Sequence, residues 1–182
     1  MKIINLAVLL SLIIVTPAFA GNTGKAYIAA DVGRATFVPA SAFDNPGMAR
    51  IAGGYHFTQF IAAEIGYTKF SDTTYSVSAG TATLSPTSLS ACAVASWPVN
   101  SKFDLTAKLG MSNNNINGKT TGSLTLASTA TPITSVMYGV GAQYHINSEF
   151  SLRTQYEDFG ALDNSTPVQK MTAFSIGVAY DF

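Results

Sequence analysis

The chain has 182 residues with ten basic and ten acidic side chains, so its formal net charge is zero and it carries no electrostatic footprint for nucleic acid. Only 11% of its residues are charged, against about 25% in ordinary soluble domains, which argues against a surface bathed in water on all sides. The lone Cys92 excludes an internal disulfide, so backbone pairing and packing must hold the fold.

The N-terminus reads as a secretory signal peptide. Lys2 is a short basic region, Ile3 to Val15 an apolar one, and Pro17-Ala18-Phe19-Ala20 supplies small residues for cleavage. The expected division is a signal peptide over 1–20 and one domain over 21–182. The apolar run is shorter than the ~20 residues of a membrane helix, and no later segment is continuously apolar for that length. Gly21 rather than a cysteine follows the cut, so a lipid anchor is not expected.

From there the chain alternates with a period of two, the signature of strands with one apolar face. The alternation predicts eight strands, at about 25–34, 48–57, 60–70, 89–97, 103–112, 135–146, 149–158 and 170–182. Each is close to the ~9–11 residues that a tilted strand needs to cross hydrocarbon. The connections alternate in length. Thr58-Gln59, Pro98 to Lys102 and Asn147-Ser148 are tight, whereas 35–47, 71–88, 113–134 and 159–169 are long and rich in Ser, Thr, Asn, Gly and Pro. Short turns at one end and long loops at the other are the pattern of an all-β, antiparallel, up-and-down outer-membrane barrel. An even strand number puts both termini with the short turns, on the periplasmic side.

The last strand is the clearest. Phe174, Ile176, Val178, Tyr180 and Phe182 point one way, and Ser175, Gly177, Ala179 and Asp181 the other. A bulky aromatic at the final residue suits a membrane interface, where aromatic girdles lie. Ile176, Val178, Tyr180 and Phe182 also look like the signal read by barrel assembly machinery, since an unpaired strand with one apolar face can add to a sheet edge.

Sorting the other strands by parity gives one uncharged face, including Ile28, Val32, Ile51, Ile65, Tyr67, Trp97, Leu105, Leu109, Val140, Tyr144 and Leu152. The opposite face carries Asp31, Arg50, His56, Glu64, Asp104, Lys108, Gln143, His145, Arg153 and Glu157 among small residues. A soluble barrel needs the reverse sorting. In lipid it is required, because Arg or Lys on the outer wall at mid-depth costs about 2–4 kcal/mol.

Asp31, Glu64, Lys108 and Arg153 fall near the middle of alternate strands and are expected to pair inside the lumen, since isolated buried charges are costly. A static plug is the plainer reading and a gate opened by partner exchange the sharper one. Glu157 is expected nearer the loop end, where water reaches. Arg34, Lys69 and Lys170 have outward parity at the loop ends of their strands, where they could meet lipopolysaccharide phosphates, with Asp158 joining through a divalent cation. His56 and His145 face inward near the turn end. No metal, cofactor or catalytic set is expected of them, although His145-Ile146-Asn147-Ser148 contains the residue types of acyl-transfer chemistry.

The segments Ala52-Gly53-Gly54-Tyr55, Ala63-Glu64-Ile65-Gly66-Tyr67, Ala107-Lys108-Leu109-Gly110, Gly141-Ala142-Gln143-Tyr144, Leu152-Arg153-Thr154-Gln155-Tyr156 and Ile176-Gly177-Val178-Ala179-Tyr180 carry a resemblance to the transmembrane domain of OmpA-like outer-membrane proteins. It runs in matching order over nearly all of 24–182. The resemblance implies lumen polar residues at Asp31, Glu64, Lys108, Gln143 and Arg153. It departs at Asp31, where the family residue is basic, at Gln143, where it is acidic, and at Val94, which replaces a lumen lysine, so the family's pairing scheme does not carry over. It also implies a stand-alone small barrel without a peptidoglycan-binding domain. The expected function is a non-enzymatic surface barrel serving envelope structure and adhesion, its loops meeting a host surface or phage, with a small pore as the alternative.

Overall fold

A computed structural model describes residues 23–38, 45–77, 80–122, 132–162 and 170–182. The expected signal peptide over 1–20 and parts of all four expected loops lie outside the described residues. Nine strands run in chain order: β1 (Ala26–Val38), β2 (Gly47–His56), β3 (Ile61–Phe70), β4 (Thr73–Val77), β5 (Gly80–Asn100), β6 (Phe103–Gly122), β7 (Ile133–His145), β8 (Phe150–Ala161) and β9 (Lys170–Asp181). Eight of them pair antiparallel with their neighbours and close into a barrel, β9 returning to β1 and β3 joining β5. Closure leaves no free edge along the wall, the condition that lipid imposes on backbone polar groups.

The three tight turns sit at the end that also carries both ends of the described chain, hereafter the turn end. Each is held by a side chain that satisfies backbone amides freed by the reversal. Thr58 Oγ1 accepts from the amides of Phe60 and Ile61, at 3.1 and 3.0 Å. Asn100 Oδ1 accepts from Lys102 at 2.9 Å, and Asn147 Oδ1 from Glu149 and Phe150 at 2.9 and 2.6 Å.

All four expected loops are partly strand, and two of them, 71–88 and 113–134, over long stretches. Strands at 89–97 and 103–112 were anticipated, but β5 and β6 continue to Gly80 and Gly122 and stay paired throughout. The short β4 pairs with the start of β5, Thr73 facing Leu84, in line with β3 further along the same strand. The physical reason is the threonine content of this segment, which composition had marked as loop: Thr is β-branched and favours the extended chain.

Parity sorts the wall. The outward side chains include Ile51, Leu109 and Val140, each more than 60% exposed in the isolated barrel, a burden that only an apolar surrounding relieves. The inward face is not polar from end to end. Toward the loop end Phe37, Met48, Phe70, Met137, Phe159, Leu162 and Met171 pack into an apolar layer that fills the lumen, with Phe70 and Phe159 edge to face at 5.6 Å. A bulge in β8 builds part of this layer. The register with β9 shifts between Asp158 and Ala161, and Gly160 adopts φ +73°, a conformation that L side chains rarely take. The carbonyls released there are capped across the lumen from β6, two strands away. Asn114 Nδ2 donates to the Phe159 and Ala161 oxygens at 2.8 and 2.9 Å, and Ser112 Oγ to Phe159 O at 2.5 Å.

Candidate functional site

Below the apolar layer the lumen holds a layer of charge. Register explains how its members meet. Asp31 on β1 faces Arg50 on β2 and, on its other side, Gly177 on β9, which in turn faces Arg153 on β8. Gly177 is the gap through which Asp31 and Arg153 reach each other: a Cβ there would stand 2.2 Å from Asp31 Oδ1. Lys108 on β6 faces Gly139 on β7, which faces Glu157 on β8, so a second charged pair also spans a glycine.

The layer has three carboxylates and three cations, all buried, and is therefore neutral. Arg153 bonds Asp31 through Nε at 2.6 Å and through its terminal nitrogen Nη2. Its Nη1 donates to Glu64 Oε2 at 2.8 Å, which also accepts from the Tyr27 hydroxyl at 2.9 Å. Glu64 Oε1 accepts from Arg50 Nη2 and Lys108 Nζ, each at 2.7 Å. Arg50 Nη1 meets both oxygens of Glu157 at 2.5 and 2.6 Å. Lys108 Nζ donates further to Gln155 Oε1 at 2.7 Å and Glu157 Oε1 at 3.1 Å. Four of these ten hydrogen bonds converge on Glu64, and paired charges with every oxygen satisfied are the form in which burial is tolerable.

The structure thus brings together Asp31, Glu64, Lys108 and Arg153. Gln143 stands apart: it faces Arg153 on the adjacent strand, but its Nε2 donates to Ser151 Oγ at 2.7 Å, on the turn side of the charge layer. Sequence reasoning placed Arg50 and Glu157 on the inner face without placing them in the cluster. It expected water around Glu157, whereas Glu157 is 1% exposed beneath the apolar layer, which shields it from the loop end. Parity was the available signal for both; depth depends on the stagger between strands, which parity does not carry.

Toward the turn end His56 Nε2 lies 3.1 Å from Asp181 Oδ1, and His145 Nε2 lies 3.1 Å from Asp104 Oδ2. His56, Asp104 and His145 line a vestibule of about 380 Å³ that also includes Lys102 and Gln143. Among the described residues no three His, Cys, Asp or Glu side chains form a group able to hold a metal ion. Between vestibule and charge layer the lumen narrows to a cavity of only about 20 Å³, lined by Glu64, Lys108 and Arg153 among others, room for about one water.

On the outer wall, Arg34, Lys69 and Lys170 are all exposed. Arg34 faces Gly47 and Lys69 faces Ala49, adjacent outward positions of β2, so these two lie close on one side of the barrel. Lys170 faces Val38, four residues further along β1 than Arg34. Asp158 accepts a hydrogen bond from the Tyr138 hydroxyl at 2.9 Å. Ile176, Val178 and Tyr180 of β9 share the outward face with Phe182 just beyond it, Phe182 lying edge-on to Tyr180 at 5.1 Å and Tyr180 against Phe150 at 4.9 Å.

Comparison with known proteins finds the same closed barrel fold. A family model described as the outer membrane protein beta-barrel domain matches residues 6–182. The chain belongs to that family. Solved barrels of similar fold include Ail, the attachment invasion locus protein of Yersinia pestis, in complex with the heparin analogue sucrose octasulfate. It is 18% identical, with 88% of this chain and 99% of Ail covered and a TM-score of 0.64. Neisserial surface protein A is 21% identical over 86% of this chain and 97% of its own, at 0.63. OprG of Pseudomonas aeruginosa is 12% identical over 89% and 97%, at 0.62. No curated protein matches the chain. As a member of the family this protein is a small OmpA-like, eight-stranded barrel of the outer membrane.

Proposed function

We propose that this outer-membrane barrel is a closed, non-enzymatic surface protein. Its turn end and both termini face the periplasm, and its loop end faces outward as a contact surface for a host surface or phage. The observation that carries this reading is the double seal of the lumen, an apolar layer around Phe70 and Phe159 stacked on the neutral charge layer around Glu64. Water and ions would have to displace both. A conducting path lined by small polar groups would have favoured a pore instead.

The long β5–β6 extension supports the surface role, since paired backbone holds the loop end in a fixed shape on a rigid scaffold. Ail was solved with a sulfated sugar analogue; the corresponding idea here, a polyanionic or glycan ligand at the loop end, remains within this proposal. Ile176, Val178, Tyr180 and Phe182 act during assembly, read as an apolar-faced strand before β9 pairs with β1 and β8. Planar-bilayer recording tests the seal. Reconstituted barrel should leave the membrane electrically silent, and steady ohmic conductance in every insertion would refute it. Cells displaying barrels with each loop deleted in turn should lose binding to host surfaces or phage for one loop or more.

A further inference from the structure

The outer wall is not evenly ridged. Outward side chains form oblique rows along the hydrogen-bonding direction, and register traces one of them from the loop end to the turn end. It begins at Lys69 on β3 and passes through Ala49, Val32, Ile176, Thr154 and Ala142 on successive strands. The row beside it runs through Tyr67, Ile51, Ala30, Val178, Leu152 and Tyr144. Because Ala49, Ala30 and Ala142 are small, the two rows enclose a furrow of about 750 Å³. Ligand sites span roughly 300–1,000 Å³, but this one opens onto the face that hydrocarbon covers.

The head of the furrow carries charge. Lys69 faces Ala49, and Arg34 faces Gly47 on the same strand. Only a methyl group and a hydrogen therefore rise from β2 between two exposed cations. Cations beside a saddle of small residues suit a phosphate, which accepts from Arg in bidentate fashion and from Lys as a point charge. The furrow below suits an acyl chain and nothing polar.

We propose that Arg34, Lys69 and this furrow form a seat for one phosphorylated glycolipid of the outer leaflet, its phosphate on the Gly47–Ala49 saddle and one acyl chain along the furrow. The seat rests on the outward orientation of the loop end given above. It commits to the outer-leaflet lipid because the cations lie at the loop-end margin, whereas the turn-end head of the furrow is aromatic, with Phe103 and Tyr144. Lys170, four residues further along β1 than Arg34, takes no part.

The test uses the full barrel in nanodiscs and native mass spectrometry to count retained lipid. Lipopolysaccharide, phosphatidylglycerol and phosphatidylcholine are supplied in turn. The unmodified barrel should retain one lipopolysaccharide through delipidation and neither phospholipid. Arg34→Gln and Lys69→Gln should each lower retention about fivefold, the effect of one basic residue at an anionic membrane surface. Lys170→Gln should leave it unchanged. Ala49→Leu with Ala142→Leu fills the furrow without altering charge and should lower retention by the same order. Retention untouched by the filled furrow, a Lys170→Gln loss equal to that of Lys69→Gln, or equal retention of phosphatidylglycerol would each overturn the seat. Cell-surface labelling of a tag in the β6–β7 connection, at the loop end, reads orientation separately: an unlabelled tag would reject the orientation itself, whatever lipid is retained.

Discussion

Glu64 is the residue on which the charge layer depends most. It accepts from Arg50, Lys108, Arg153 and Tyr27 at 2.7–2.9 Å. Glu64→Ala leaves Asp31 and Glu157 facing three cations, a net positive charge inside a wall with about 20 Å³ of free space beside it. Breaking a buried pair from one side costs about 3–5 kcal/mol. Glu157→Ala leaves the same imbalance, but Lys108 keeps Gln155 and both Lys108 and Arg50 keep Glu64, so the loss should fall at the lower end of that range. The double change Glu64→Gln with Lys108→Met removes one charge of each sign and keeps approximate shape. It should be less destabilising than Glu64→Ala alone, by about 2 kcal/mol, because no buried charge is stranded. Reversible urea unfolding in lipid vesicles measures all three. The fluorescence of Trp97, exposed on the outer wall, reports whether the folded state remains in lipid. A Glu64→Ala midpoint indistinguishable from the unmodified barrel, or a double variant as unstable as the sum of its parts, would show that charge pairing is not what holds this layer.

Three further outcomes follow from the geometry. Gly177→Ala puts a methyl 2.2 Å from Asp31 Oδ1 and 2.3 Å from the Ala30 carbonyl; it should cost about 1–3 kcal/mol or more by the same unfolding assay, and a neutral result would contradict the close approach of β1 and β9 there. Phe159→Ala opens the apolar layer and should cost about 3–5 kcal/mol, yet bilayers should stay silent because the charge layer persists; conductance from this single change would place the whole seal in the apolar layer. Deleting Phe182 should sharply lower heat-modifiable barrel in the outer membrane while the purified chain still refolds in detergent, and undiminished levels in cells would remove it from the assembly signal.

What could be read from the sequence depended on whether a local rule carried it. Alternation located six of the eight wall strands within a few residues, because lipid outside and a packed lumen inside enforce opposite chemistry at successive positions of strands such as β3 and β9. The short turns were equally local, since Thr58, Asn100 and Asn147 cap amides two or three residues away. The upper half of the β5–β6 hairpin was misjudged because composition was weighed above propensity, and Ser and Asn hid the threonines that extend it.

The lumen shows the limit of parity more sharply. Parity states that Glu157 points inward; it does not state that Glu157 stands level with Lys108 and Arg50, because that is fixed by the stagger accumulated around a closed barrel. The same stagger lifts Phe70 and Phe159 to one depth, where they meet edge to face. Phe159 also follows a break in the period, as the β8 bulge buries both it and Gly160. The two layers solve different halves of one problem. Charges in the middle of the wall must turn inward, because lipid rejects them, and must then neutralise one another. Nearer the loop end that constraint relaxes, and an apolar layer excludes water from the ion pairs below, which strengthens them by lowering the dielectric around Arg50 and Glu157. A barrel with either layer alone would leave its charges wet from above or its hydrophobes unsupported from below.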